Sequence, residues 1–236
     1  MTKRILVFTA CYNEKQNIEE LIEKILKNLP NSDILIIDDN SPDQTSLVVK
    51  EMMKKFQQIN LIVREKKLGL DTAHKLAFNF AKKNNYDYFV TMDADLSHDP
   101  NELKNFVQQL ESFPFVIGSR YIVGGKCLMT GSRLFTSIIG NYTIKFLSGI
   151  KCNEYTTSYR GFNLNKLEDF NLDSVNAKGY SFFMGTIFKI VEHGFSIKEI
   201  PITFADRKTG VSKIPKFEIF RTLKNLIFLS FRKYFY

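Results

Sequence analysis

The segment "YFVTMDADLSHDP", Tyr88 to Pro100, runs apolar from Phe89 to Met92 and then presents Asp93, Asp95 and Asp99 within seven positions. Two neighbouring carboxylates at the end of a strand repel each other, so the pattern anticipates a positive species, a proton or a metal ion, between them. An Asp-x-Asp pair offers hard oxygen ligands of the kind Mg²⁺ or Mn²⁺ takes, with water and substrate phosphates completing the shell. Such an ion would neutralise a diphosphate and help it depart as a leaving group. Asp99, followed by Pro100 and Glu102, reads instead as a helix cap. A second acidic pair, Asp38 and Asp39, closes the apolar run Ile34 to Ile37 and is expected to face the same crevice.

Bringing these acids together requires elements that end at one edge. Arg4 to Thr9 is a compact apolar strand, and Ile18, Leu21, Ile22, Ile25, Leu26 and Leu29 then recur at steps of three and four, one face of a helix. The cycle repeats. Strands are predicted at Ile34 to Ile37, Leu61 to Val63, Tyr88 to Met92 and Phe115 to Ile117, with helices marked by Val49 and Met52, by Ala73 and Ala77, and by Phe106 and Leu110 between them. This alternation implies an α/β fold with a mainly parallel central sheet flanked by helices on both faces. In such sheets the ligand sits beyond the carboxyl ends of the strands, which is where both acidic pairs fall.

Past residue 120 the pattern changes. "GSRYIVGGKCLMTGSRLF" reads as a mobile loop carrying Arg120, Lys126 and Arg133, and it leads into an apolar helix through Ile138, Ile139 and Phe146. Ser196 to Phe204 alternates like a strand exposed on one side, and "ADRKTGVSKI" follows as a polar, basic loop. The end of the chain, from Phe217, places Phe220, Leu223, Ile227 and Phe231 near one face with Arg221, Lys224 and Arg232 around it, an amphipathic helix. With no repeat or low-complexity tract, the economical division is one domain over 1–215 and a C-terminal basic extension over 216–236.

A chain of 236 residues with 44% hydrophobic content supports one sizeable core and excludes a disordered class. The net charge of +8 favours an anionic partner: a nucleic acid, an anionic membrane or a phosphate-bearing substrate. The basic residues accompany acidic pairs and form no continuous stripe, which counts against nucleic acid. Cys11, Cys127 and Cys152 are odd in number and lack metal-site spacing, as suits a reducing cytosol. No apolar run approaches the roughly 18 residues of a spanning helix, so a soluble or peripheral protein is expected. The first strand-to-helix turn, "TACYNEKQN", has no glycine for a dinucleotide pyrophosphate. His74 and His98 read as helix-face and loop residues, and no Ser-His-Asp or Cys-His set is visible.

"ACYNE", "IIDDNSPD", "MDADLSHDP", "GSRYIVGG" and "PITFADRKTGVSK", in this order and spacing, resemble the family 2 glycosyltransferases, and within them the polyprenol-phosphate (dolichol-phosphate) mannose synthases. The resemblance reaches to about residue 215. It implies a GT-A nucleotide-sugar-binding fold, a GDP-mannose donor, Mg²⁺ or Mn²⁺, and a polyprenyl phosphate acceptor glycosylated with inversion. Matched position by position, it implies that Ala10, Tyr12 and Glu14 line the nucleotide pocket and that Ile37 and Asp39 hold base and ribose. Asp93 and Ala94 would meet the diphosphate and sugar, and Asp95 the metal, with Ser97 at a further metal contact that is often glutamine. Arg120, Arg207 and Lys213 match the residues around the donor phosphates, and Arg133 and Ser137, with Arg120, those that grip the acceptor phosphate. Asp93, Asp95 and Arg120 are therefore the expected catalytic set.

The chain departs from the family pattern at Ala10 (usually proline), Asp71 (commonly glycine), Thr130 (often tryptophan) and Glu154 (usually aspartate). An acceptor phosphate is already an anion near neutral pH, so the attack needs little general-base help, and positioning and electrostatics should dominate. A lipid acceptor implies contact with a membrane surface on its cytosolic face. The helix after Arg133 and the tail from Phe217 could lie at that interface, or the tail could pack on the domain or on a partner subunit. Many relatives carry spanning helices, so a small membrane-anchoring subunit is an expected partner. Three rival readings remain: a glucosyltransferase using UDP-glucose, an aspartyl-nucleophile phosphatase, and a non-enzymatic nucleotide-binding scaffold at membranes. The phosphatase motif normally ends a first strand, whereas this one ends the fourth; the scaffold requires that Asp95→Ala leave the biological role intact.

Overall fold

The computed structural model describes residues 3–179 and 181–205. Arg207, Lys213, the 215/216 boundary and the C-terminal amphipathic stretch lie outside the described residues.

The first strand, β1 (Ile5–Cys11), carries Leu6, Val7 and Phe8 with no exposure at all, because both of its faces are covered. It is followed by α1 (Ile18–Asn28), whose Ile18, Leu21, Ile22 and Ile25 form the buried stripe that the sequence spacing predicted. Glu19 and Glu20 in its first turn and Lys27 in its last complement the helix dipole. The cycle continues through β2 (Asp33–Asp38), α2 (Thr45–Lys55), β3 (Ile59–Val63), α3 (Leu70–Lys83) and β4 (Tyr88–Thr91). After these come α4 (Leu103–Ser112), β5 (Phe115–Ser119), β6 (Lys126–Cys127), α5 (Gly131–Ser148), β7 (Arg160–Asn163), α6 (Ser181–Glu192), β8 (Ile197–Pro201) and β9 (Thr203–Phe204).

The main sheet runs β3-β2-β1-β4-β7-β5-β8, and only β7 is antiparallel to its neighbours. Strand residues alternate between its two faces. Leu6, Phe8, Leu35 and Ile37 pack with Ala73, Ala77 and Phe78 of α3 and with Phe182, Phe183 and Ile187 of α6. Val7, Ile34, Ile36 and Val90 pack on the other side with α1, α2 and α4, through Leu21, Ile25, Met52 and Phe106. The three-layer α/β fold expected from the sequence is the one observed.

Two readings of the second half need correction. The stretch from 118 to 135, predicted as a mobile loop, contains β6 and the first turns of α5; Lys126 N–H donates to the Ile202 carbonyl and Leu128 N–H to that of Phe204, both at 2.9 Å. The single strand predicted over Ser196 to Phe204 is two strands in different sheets. β5 runs out of partners at Ser119↔Pro201, and the chain then pairs through β9 with β6. Neither β7 nor α6 was anticipated. Arg-Gly-Phe-Asn has no apolar run, and Gly161 lets α4 pack closely on the strand: an added Cβ would stand 3.0 Å from Leu110 Cδ1 and 3.2 Å from Phe106 Cδ1.

The cap reading of Asp99 holds. Its carboxylate accepts from Asn101 N–H at 3.0 Å, with Pro100 opening the short 3-10 turn that leads into α4. Asp99→Ala is expected to cost about 1 kcal/mol of stability with little effect on any activity, checked by chemical denaturation.

Candidate active site

In this strand order the chain runs from β1 outward to β2 and β3, then returns to place β4 on the other side of β1. The crevice beyond the carboxyl ends of β1 and β4 is thus the topological switch point, where open α/β sheets bind ligands. The loops after β1, β2 and β4 converge on it, and the loop after β5 borders it.

The β1 and β2 loops are tied to each other. Asn13 N–H donates to Ser41 Oγ at 2.9 Å, Glu14 N–H to Thr45 Oγ1 at 3.0 Å and Lys15 N–H to Asp43 Oδ2 at 2.9 Å. Ala10 and Ile37 lie opposite each other in the β1–β2 pairing at the head of this corner. Asp38, fully buried, is used by its own turn, where it accepts from the Ser41 hydroxyl and N–H. Asp39 is the acid of that pair turned toward Arg64, with which it forms a buried ion pair. Arg64 also donates to Thr72 Oγ1 (2.6 Å) and to the Gly69 carbonyl (3.1 Å), so it locks Asp39 to the start of α3. Burial raises the Asp39 carboxyl above its ordinary range, with Arg64 pulling the other way. The Lys67 ammonium stands 4.5 Å from the centre of the Tyr12 ring.

The β4 loop delivers the acids. Leu96 has a positive φ of 61°, which turns the chain sharply after Asp95. Asp95 is buried; its Oδ1 accepts from Ser97 N–H at 3.1 Å and from Ser97 Oγ at 2.6 Å. Asp93 is half-buried and accepts from the Ser158 hydroxyl. Its backbone N–H donates to Nδ1 of His98 at 3.0 Å, and Nε2 of that ring meets Thr157 Oγ1 at 3.2 Å. The acceptor role of Nδ1 assigns His98 the neutral Nε2–H tautomer. Its burial lowers its pKa despite the two nearby aspartates, in keeping with that form.

Beyond β5, Arg120 is 8% exposed. Its Nε donates to Glu154 Oε2 at 2.7 Å, and its Nη2 to Glu154 Oε1 and Thr156 Oγ1, each at 2.8 Å. Burial disfavours the Glu154 carboxylate, but Arg120 and the N–H and hydroxyl donors of Thr156 outweigh burial and hold it below its ordinary range. Tyr121 stacks beside Arg120 and shares a 2.7 Å hydrogen bond with Ser137 of α5. Arg133 is exposed one turn earlier on the same helix. Asp71, in the first turn of α3, accepts from Gly179 N–H at 3.0 Å.

Among the expected site residues that are described, Ala10 and Ile37 stand at the carboxyl ends of β1 and β2, Tyr12, Glu14, Asp39, Asp93, Ala94, Asp95, Ser97 and Arg120 lie on the loops that follow β1, β2, β4 and β5, and Arg133 and Ser137 lie on α5. Sequence reasoning missed Arg64, Thr157 and Ser158, and treated Glu154 only as a departure from a pattern. Both histidines are more deeply buried than helix-face or loop positions imply. His74 of α3 sits among Phe8, Phe182 and Phe183, at 5.0, 5.8 and 5.1 Å between ring centres.

Burial, with the Arg160 charge adding to it, lowers the His74 pKa to about 3. Because the folded state holds this ring neutral, only the unfolded chain gains a proton as pH falls below about 6.5. Stability should therefore decline between pH 6.5 and about 3. Thermal unfolding of wild type and His74→Phe across this range checks the point: the variant's decline should be shallower.

The donor set at Asp93, Asp95 and Ser97 is all oxygen, which suits Mg²⁺ or Mn²⁺ over softer ions. Among the described residues no cluster of three or more His, Cys, Asp and Glu side chains forms a cage. One or two carboxylates that leave coordination positions for phosphates are the usual protein share for such ions.

The switch-point crevice thus carries an oxygen-rich Asp-x-Asp on one flank and a guanidinium fixed by a buried carboxylate on the other. The profile of "Glycosyl transferase family 2" matches residues 6–170, and the chain belongs to that family. It is 34% identical over 216 residues to a polyprenol monophosphomannose synthase from Mycolicibacterium smegmatis, covering 90% of this chain and 82% of that protein. A glucosyl-3-phosphoglycerate synthase from Mycobacterium tuberculosis, solved with phosphoglyceric acid, superposes with a TM-score of 0.70 at 15% identity, over 97% of this chain and 80% of that one. A mannosyltransferase from Pyrobaculum calidifontis, solved with GDP-Man and Mn²⁺, gives a TM-score of 0.57 at 18% identity, over 89% and 59%. At these identities the two structures speak to the fold. The protein is a glycosyltransferase, and among its described residues no helix is long and apolar enough to cross a membrane.

Proposed function

We propose that the protein is a metal-dependent inverting transferase that moves mannose from GDP-mannose to a polyprenyl phosphate at the cytosolic face of a membrane. The observation that carries this reading is the convergence of Asp93, Asp95 and Arg120 on one crevice, with Ser137 and Arg133 of α5 next to it. The named activity of the relative at 34% identity supports mannose and a polyprenyl phosphate.

Ala10, Tyr12, Glu14, Ile37 and Asp39 take the nucleoside, with Arg64 fixing Asp39. Asp93 and Ala94 meet the diphosphate and sugar. Asp95 and Ser97 would hold a divalent ion, which would supply charge neutralisation to the departing diphosphate. Arg120 faces the donor phosphates, a role the sequence resemblance also gives to Arg207 and Lys213, while Arg133 and Ser137 hold the acceptor phosphate. One oxygen of that phosphate attacks the anomeric carbon as the sugar–diphosphate bond breaks on the opposite face. A single displacement inverts the configuration. No side chain is asked to remove a proton, consistent with a neutral, buried His98 beside the acids.

Helix α5 supplies the membrane side. Phe135, Ile138, Ile139, Tyr142 and Phe146 form one exposed apolar stripe, with Tyr142 71% and Phe146 76% exposed. Such a stripe beside Arg133 and Lys145 fits a helix lying in the headgroup region. A small membrane-anchoring subunit would cover part of the same face.

Calorimetric titration with GDP-mannose and UDP-glucose, each with Mn²⁺ and with EDTA, tests the donor. GDP-mannose should bind more tightly, and only with metal. Tighter binding of UDP-glucose would overturn the mannosyl donor, and equal binding in EDTA the metal role.

A further inference from the structure

The geometry points to Glu154 as a positioning residue that presents the Arg120 guanidinium to the donor diphosphate. This rests on the diphosphate-donor reading above and adds to it a residue that touches no substrate. Glu154 is fully buried and cannot meet a ligand itself. Its two oxygens accept from Arg120 Nε and Nη2, from Thr156 N–H and Oγ1, and from Thr157 N–H at 3.2 Å. Two of the three guanidinium nitrogens are consumed by Glu154 and Thr156, and Nη1 makes no hydrogen bond among the described residues.

The Tyr121 and Phe204 rings, 4.9 and 5.2 Å from the guanidinium carbon, close its remaining sides. A long, flexible side chain is thereby reduced to one orientation with one free donor edge. A bidentate Arg–carboxylate pair imposes such planarity, whereas a lysine in place of Arg120 could not.

Glu154 also heads the loop that holds the acidic flank. Three and four residues on, Thr157 contacts His98, and the Ser158 hydroxyl donates to Asp93. Ser158 is in turn pinned through its carbonyl by the Thr91 hydroxyl at the end of β4. One five-residue segment thus sets the cationic flank against the anionic one, and the spacing between them is what a diphosphate with its ion must match.

The test is binding of inorganic pyrophosphate with Mn²⁺ to the full chain, which needs no sugar transfer. Glu154→Gln should weaken pyrophosphate about tenfold, and in an Arg120→Met background the same change should do nothing further. In the transfer assay the loss should fall on donor KM more than on kcat. Glu154→Asp, which keeps the charge but shortens the reach, should lie between the two. If Glu154→Gln does not fold, Thr156→Val removes one Arg120 contact and should weaken pyrophosphate by about threefold.

Unchanged affinity in the folded variants overturns the inference, as does a loss of equal size in the Arg120→Met background, which is the mark of a purely structural role. Wild type that does not bind pyrophosphate also overturns it. Pyrophosphate binding with no transfer from any donor leaves the inference standing and overturns only the transferase reading of the substrates.

Discussion

Asp95→Asn should lower sugar transfer by about a thousandfold while leaving the fold intact. The amide oxygen can still accept from Ser97 N–H and Oγ, so the turn around Leu96 keeps its two local hydrogen bonds. What is lost is a unit of negative charge at the proposed metal position. Charge stabilisation by such an ion is worth several kcal/mol in the transition state, and each 1.4 kcal/mol is tenfold in rate. Steady-state transfer rates and a thermal melt of the same preparation check both halves. A variant that melts like wild type and transfers within tenfold of it would contradict the role given to Asp95.

The second large effect is on stability. Phe78→Ala is expected to cost about 3–5 kcal/mol, because a fully buried ring is removed and its cavity cannot collapse. The ring meets Phe89, Phe162 and Phe170 edge-on at 5.8, 5.5 and 5.9 Å, and these belong to β4, β7 and the segment before residue 171. α3 is thereby fastened to β4, which carries the acid loop, and to β7, into which the 154–158 segment leads. For a chain of this length the Tm should fall by roughly 10 °C, measured by calorimetry. A shift under about 3 °C would mean that the aromatic cluster repacks.

How much of this was legible depends on whether a residue's partner is near it in the chain. Helices α1 to α4 and strands β1 to β5 were readable because each presents its own period, and the two-faced burial of Leu6, Val7 and Phe8 follows from a continuous apolar run. α6 was not readable, since "SFFMGTIF" is apolar on every side and carries no period, and all of Ser181 to Ile187 is buried. β7 was hidden for a different reason. Arg160 opens it with a buried guanidinium satisfied by the carbonyls of Tyr155, Thr157 and Phe183, contacts that exist only once the chain is folded.

The same division runs through the site. The Asp-x-Asp was visible as residue types at a suggestive spacing, and Arg120 and Arg133 through the family resemblance. Their supports were not. Arg64 reaches Asp39 across 25 residues, and Glu154 reaches Arg120 across 34. Ser158 reaches Asp93 across 65 residues, a span over which no local pattern carries information.

The central claim is that a sugar leaves a nucleoside diphosphate for a lipid phosphate in this crevice. The most direct measurement is transfer of radiolabelled mannose from GDP-mannose to a polyprenyl phosphate in detergent or vesicles, with Mn²⁺ and with EDTA. A labelled lipid product that requires the ion, the lipid phosphate and Asp95 is the result this account predicts. Folded protein that binds GDP-mannose with Mn²⁺ and gives no labelled lipid would contradict it.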